Sequence, residues 1–456
     1  MKKKFVASAL CVAMITSLLT GCSSKNGNST QEADGTGKPK LTIAYIDTND
    51  DGDGNSQYKQ IMKAYNNWSK KDEVKLDLEP IIATDSDYFT KMQLELSNQS
   101  TCPDIFWEDT FQLNADVQAR YVANITDKVS TYEDWKTDYI EAVKESVTGA
   151  DGNIYAIPAS TDLRGLWYNK DVLEQAGMGR EWQPETWDDI LEACRAIKEN
   201  CDDDVVSMWF PCSTADGEGT SMQTYEMLLY GTGERLVDDS TGVWTVSSPG
   251  MIDTLNFVKT IFDEDMGGSI SERLDTNSWM YAVDYLSKGK LGIYLDGSWA
   301  YRNFTEGSSY EMEDFSDLGF AKMPLQNGGG NITLSGGWSW AIPEKSDQQD
   351  LAFEFITEMM KPENYIEYLM GSGNLGTRDM STYDEYTARP FYKEFTEALK
   401  SAAYRPHDEN YSQVSAYIYQ MIDSLVRSDV SVDDAIKTFT KGVEGVVGKD
   451  KVKVIE

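Results

Sequence analysis

A strand pattern, a helix pattern and a second strand pattern follow one another in residues 41–79, and no other feature constrains the fold of this chain as much. Leu41, Ile43 and Tyr45 recur at every second position, the period of a strand. Ile61, Ala64, Tyr65 and Trp68 then fall at helical spacing within 57–69. Val74, Leu76 and Leu78 alternate once more with Lys75, Asp77 and Glu79. Strand–helix–strand is the signature of an α/β sheet. Further helices carry their own start signals. Thr186 precedes WDDILEACRAIKEN, with Asp189 placed as the acid of a capping box. Ser248 and Pro249 open a helix through about Phe262, with Pro in its first turn. Ser346 starts another, whose face is Leu351, Phe353, Phe355, Ile356 and Met359 and which Pro362 ends. The 456 residues suffice for two to three domains at ~150 residues each.

The chain in front of this region reads as an export and anchoring device. Lys2, Lys3 and Lys4 precede a short apolar run from Phe5 to Leu19, too short to cross a ~30 Å hydrocarbon layer comfortably. It ends in Leu19-Thr20-Gly21-Cys22, which resembles a bacterial lipobox and marks Cys22 for lipidation. Two acyl chains on that residue give stable membrane anchoring, where one would be marginal. Residues 23–39 are polar, rich in Gly and Ser and without apolar periodicity, as a flexible tether is. The expected location is therefore the outer face of a bacterial cell membrane.

Charge narrows the partners. The chain carries 76 acidic and 41 basic residues, a net −35 that repels phosphate backbones, so no nucleic-acid partner is expected. Cys102, Cys194, Cys201 and Cys212 remain once Cys11 leaves with the leader and Cys22 takes lipid. In an exported protein they allow one disulfide within 194–212, or none. With no CxxC pair and a single His, His407, no structural zinc site and no cofactor is expected. Asp47 to Asn55 begins like a calcium loop, but Tyr58 stands where a bidentate Glu belongs, and a solvated turn is the competing reading. Neither GxSxG nor HExxH nor a phosphate-binding Gly loop occurs, so hydrolase, metalloprotease and nucleotide chemistry have no motif to stand on. A carboxylate pair for glycan hydrolysis stays open, because so many acids always offer pairs.

Seven motifs then follow in one order over some 400 residues. They are Pro103-Asp-Ile-Phe-Trp107-Glu-Asp109, Asn153-Ile-Tyr-Ala-Ile-Pro158, Leu166-Trp-Tyr-Asn-Lys170, Pro184-Glu-Thr-Trp187, Lys288-Gly-Lys-Leu-Gly-Ile293, Gly297-Ser-Trp299 and Ser335-Gly-Gly-Trp338-Ser-Trp-Ala-Ile-Pro343. In this order they resemble the extracellular sugar-binding proteins that feed ABC importers, the family of the maltodextrin-binding protein. The resemblance implies an α/β, two-lobed periplasmic-binding-protein-like fold with hinge crossovers. One lobe would take 40–157 plus 322–366, the other 158–321 plus 367–456. It further implies a monomeric, non-enzymatic receptor that takes a carbohydrate between the lobes and delivers it to the membrane subunits of an ABC importer. A receptor for a polyamine or peptide and a glycan-degrading lipoprotein are the alternatives.

Sugar chemistry favours aromatic planes for the C–H faces and planar hydrogen-bonding groups for the hydroxyls. The resemblance places Trp107, Asp109, Asp162 and Trp299 at solute-contacting positions. Arg164, Asp296, Trp338 and Arg378 are further candidates. Each has a structural alternative. Trp107, Trp299 and Trp338 are large enough to be core, Asp109 can cap the next helix, Arg164 can form a salt bridge between lobes, and Asp296 can open a turn. The loop Thr214 to Ser221 matches no sugar-contact pattern.

Overall fold

Strand Lys40–Asp47 lies parallel to Lys75–Ile82, in register from Lys40 opposite Lys75 to Asp47 opposite Ile82, with helix Ser56–Asn67 as the crossover. The computed structural model describes residues 37–47, 55–83, 85–238, 241–427 and 430–456. The leader, Cys22 and most of the tether lie outside them. So do residues 48–54 of the calcium-like loop; Asn55 at its end spends its side-chain oxygen capping the first helix, accepting from Gln57 N at 2.8 Å and Tyr58 N at 3.2 Å.

Two sheets organise the rest. The first has five strands in the order 75–82, 40–47, 105–109, 338–341, 156–158, the last two antiparallel additions to a parallel start. The second has four, in the order 318–321, 164–169, 291–297, 206–209. Leu41, Ile43, Ile105, Phe106, Trp340 and Phe355 are buried around the first sheet. The second sheet is covered on both faces, by one cluster around Leu166, Ile190, Ile293 and Ile418 and another around Trp167, Tyr294 and Phe395.

Local chemistry starts the helices where the sequence says. Thr186 accepts from Asp189 N at 3.2 Å while Asp189 accepts from Thr186 N at 2.8 Å, a complete capping box on helix Trp187–Asn200. Ser248 caps helix Pro249–Asp263. The helix expected from Ser346 runs from Gln349 to Met359, and Pro362, expected only as its terminator, is also the first residue of the next helix, Pro362–Ser372.

The lobe boundaries expected at 322 and 366 are displaced in the packing. Met323, Ile332 and Leu334 are buried with the second sheet, because strand Asn331–Ser335 pairs with Met323–Pro324 and Ala402–Tyr404 rather than with the first sheet. Leu369, Met380 and Tyr386 are buried with the first. Cys102, Cys194, Cys201 and Cys212 are free thiols in the structure. Burial pushes the Cys194 and Cys212 thiols up to about 12. Among the described residues, no helix is long and apolar enough to cross a membrane.

Candidate solute-binding cleft

Three chain segments pass between the two cores side by side. Thr161 and Leu375 exchange backbone hydrogen bonds of 3.0 and 2.9 Å, and Ser335 Oγ donates to Asp162 O at 2.6 Å. The segment at 335–338 carries two glycines whose smallness is required. Gly337 has φ +146°, and a Cβ there would lie 2.0 Å from Ser160 O. A Cβ on Gly336 would lie 2.8 Å from Arg405 Nη2. Candidate residues collect on both sides of these glycines.

On one side stand Asp162, Arg164, Asp296 and Trp299. Asp162 Oδ1 accepts from Gly336 N at 2.7 Å and is ion-paired with Arg164. The Arg164 guanidinium lies over the Trp299 ring, 4.9 Å from its centroid. Trp299 turns back over Gly297, where a Cβ would meet its ring at 2.2 Å, so the glycine seats the indole. Asp296 stands opposite Gly165 in the strand pair, and burial pushes its carboxyl up to about 6.

On the other side, Trp338 stands opposite Asp109 in the antiparallel register. Asp109 accepts from Phe111 N at 2.7 Å, a turn bond and not the helix cap of its alternative reading, since helix Leu113–Gln118 starts at Gln112 without a side-chain cap; it is also paired with Arg405 at 3.1 Å. Burial raises its carboxyl, and the Arg405 cation opposes the shift. Trp338 is half-buried, stacked at 8° to Trp107 with centroids 5.9 Å apart.

Two candidates sit elsewhere than expected. Trp107 is 1% exposed, enclosed by Trp338, Trp340 and Tyr368. It is a core residue supporting Trp338, because its strand is covered on both faces, with residues 105–108 all buried. Arg378 is turned toward the first core, paired with Asp134 at 3.0 Å and Asp138 at 2.6 Å, and donating to Met360 O at 2.8 Å. Those two carboxylates and that carbonyl hold it away from Asp109 and Asp162.

Five residues missed in the sequence belong here, four around one crevice and Glu218 beside them. Arg405, Tyr411, Phe111 and Tyr404 line a small crevice, with Ser335 and the single histidine, His407. Phe111, on the segment after strand Ile105–Asp109, meets Tyr411 of the second core edge to face at 5.9 Å. Glu218, in the loop that matched no pattern, accepts from Tyr411 OH at 2.8 Å and Arg405 Nη1 at 3.3 Å. Burial raises its carboxyl, the Arg405 charge again opposing.

Residues 49–366 match the family model described as bacterial extracellular solute-binding protein. The chain belongs to that family. It is 28% identical over 210 residues to the melibiose/raffinose/stachyose-binding protein MelE of Bacillus subtilis (strain 168), a stretch covering 46% of this chain and 43% of that relative. It is 23% identical over 383 residues to a maltooligosaccharide ABC transporter solute-binding lipoprotein of Streptococcus pneumoniae (strain ATCC BAA-255 / R6), covering 80% of this chain and 78% of the relative. The match to the sn-glycerol-3-phosphate-binding protein UgpB of Rhizobium meliloti (strain 1021), at 23% identity, covers 57% of each chain. So the chain spans only about half the length of two of these three relatives. Among solved structures, maltose-bound MalE3 of T. maritima superposes with a TM-score of 0.75 at 21% identity, over 90% of this chain and all of that one. The GacH receptor of Streptomyces glaucescens gives 0.74 at 18%, again over 90% of this chain and all of that one. The fold is thus the two-lobed, maltose-binding-protein-like α/β fold that the motifs imply.

Proposed function

We propose that this chain is a lipid-anchored receptor, active as a monomer, that captures a sugar or oligosaccharide between its lobes and delivers it to an ABC importer. It acts without catalysis and without a cofactor. One arrangement carries the reading: two carboxylates, Asp109 and Asp162, flank the Gly336–Gly337 crossover, with a half-buried indole beside each, Trp338 and Trp299. Carboxylates accept from hydroxyls, and indoles suit the C–H face of a pyranose. Arg164 and Asp296 complete the proposed contact set. Trp107 backs Trp338, and Arg378 braces the first lobe.

The relatives support the sugar class, since the names of MelE, the pneumococcal lipoprotein and maltose-bound MalE3 all specify a saccharide. Closure would turn on the three crossovers, and the solute would favour the closed form because only there do both lobes touch it. A thermal-shift screen over a sugar panel tests the reading. A sugar present at 100 times its Kd should stabilise the protein by ~2.7 kcal/mol. Glycans recovered intact after incubation would accord with a receptor, whereas released products would replace this reading with an enzyme. A panel in which only polyamines, peptides or glycerol phosphate stabilise the protein would overturn the sugar class.

A further inference from the structure

The seam between the two cores carries more acid than base. Its guanidiniums are Arg164 and Arg405, and the carboxylates of Asp109, Asp162, Glu218 and Asp296 stand around them. Asp162 Oδ1 is ion-paired with Arg164 while accepting from Gly336 N at 2.7 Å. Arg405 follows strand Ala402–Tyr404 and is answered twice, Nη2 donating to Asp109 Oδ1 at 3.1 Å and Nη1 to Glu218 Oε1 at 3.3 Å. Arg405 lies behind these partners: its side chain is 9% exposed, against 17% for Asp109 and 20% for Glu218. What this cluster presents to water is mainly carboxylate.

The donors at Asp109 are those an anion would seek. Oδ1 accepts from Phe111 N at 2.7 Å as well as from Arg405. Thr110 Oγ1, itself accepting from Arg405 Nη2 at 2.8 Å, stands 3.5 Å away. A guanidinium and a backbone N–H converging on one oxygen make a place for a phosphate or carboxylate oxygen. The chain fills that place with its own side chain. Every hydrogen bond to Asp109 falls on Oδ1, and Oδ2 has no partner among the described residues.

We propose that Asp109 sets the charge class of the solute: its carboxylate occupies an anion position formed by Arg405 and Phe111 N–H, so the cleft takes uncharged saccharides and rejects sugar acids and sugar phosphates. The proposal rests on the receptor reading and deepens it, because Asp109 is one of the carboxylates assigned to solute. Oδ2 can accept from a neutral hydroxyl. A solute anion beside it would bury like charge against like, with both guanidiniums already paired. Discrimination of this kind comes from the repulsion as much as from the contacts made. Glu218 holds Arg405 in place, its Oε1 also accepting from Tyr411 OH at 2.8 Å and its Oε2 from Ser415 Oγ.

The test is anion rescue in the mature chain. Asp109→Ala vacates the position and leaves the Arg405 and Phe111 donors without their acceptor, so it should melt below wild type. Acetate or inorganic phosphate, at an ionic strength held constant with chloride, should restore part of that loss with a saturable dose dependence, and wild type should not respond. Asp109→Ala combined with Arg405→Met should not be rescued. Rescue that survives Arg405→Met, an equal response in wild type, or no rescue at all overturns the proposal. If Asp109→Ala folds in none of acetate, phosphate and chloride, Asp109→Asn decides, because it keeps the shape and loses the charge. Trigalacturonate should bind that variant roughly tenfold or more tighter than wild type by calorimetry, and an unchanged affinity overturns the assignment. In a second arm, wild type is titrated with maltotriose, raffinose, trigalacturonate and sn-glycerol 3-phosphate. Tighter binding of either anion than of both sugars overturns the charge class. If neither sugar binds wild type, the sugar assignment fails, while anion rescue still judges Asp109.

Discussion

Glu226 should make this protein lose stability as pH rises, and replacing it should remove most of that loss. The residue ends the π-helical turn Thr220–Glu226 and is fully buried; neither carboxylate oxygen has a donor in good hydrogen-bonding geometry, and the nearby Tyr411 and Tyr230 hydroxyls only partly offset the burial. Burial, and next the nearby Glu218 carboxylate, push its carboxyl from 4.5 up to about 8. A raised pKa in the folded state means that the proton is held more tightly there than in the unfolded chain. The stabilisation is therefore fully present below about pH 4.5 and disappears as pH climbs through about 8. A rise from 4.5 to about 8, at about 1.4 kcal/mol per unit, gives a loss on the order of 4–5 kcal/mol.

The variant to make is Glu226→Gln, which keeps the shape and cannot ionise. At pH 5 it should be less stable than wild type by ~1–3 kcal/mol, because its amide donors enter a site with no acceptor to meet them. At pH 9 the order should reverse. Urea denaturation of both proteins at half-unit intervals from pH 5 to 9 measures this directly. Asp116, which burial pushes up to about 7, and Asp296, pushed up to about 6, contribute slopes of the same sign to both proteins and cancel in the difference. Two parallel stability curves would refute the reasoning, since Glu226 would then ionise no differently in the folded and unfolded chains.

Trp107→Ala should lower folding stability by ~3–5 kcal/mol, as loss of a core indole does, and weaken sugar binding by the folded fraction less than loss of a contacting indole, since it acts on the solute only through the Trp338 ring it supports. Trp299→Ala should do the reverse, with little change in melting and a loss of ~2 kcal/mol or more in sugar binding by calorimetry. Gly337→Ala should lower the melting temperature sharply, because the new Cβ would meet Ser160 O at 2.0 Å in a backbone conformation that side chains avoid. Cys22→Ala should abolish incorporation of labelled palmitate in bacteria and leave the leader uncleaved or the protein released; normal labelling would exclude the proposed anchor.

What could be read from the sequence was whatever depends on near neighbours. The Thr186–Asp189 box and the Ser248-Pro249 start are fixed by residues within four positions, and both helices begin there. The strand periods at 41–45 and 74–78 likewise need only their own alternation. The cleft is another matter, because its partners are joined only by the fold. Trp107 and Asp109 lie two apart on one strand, so their side chains share a face of the sheet, yet one is sealed under Trp338 and the other reaches the seam where the strand ends. Arg405 lies 296 positions from Asp109 and 187 from Glu218, and its segment reads only as a polar turn. Glu218 is one acid among 76 and sits in a loop with no pattern. Arg378 looked no different from Arg405 in the sequence, but Asp134 and Asp138 claim it for the first lobe. Arginine type alone therefore cannot mark the site. The distinguishing fact is which carboxylates the fold brings to each guanidinium: Arg378 has two from the first core, and Arg405 has one from each side of the seam beside the Gly336–Gly337 crossover.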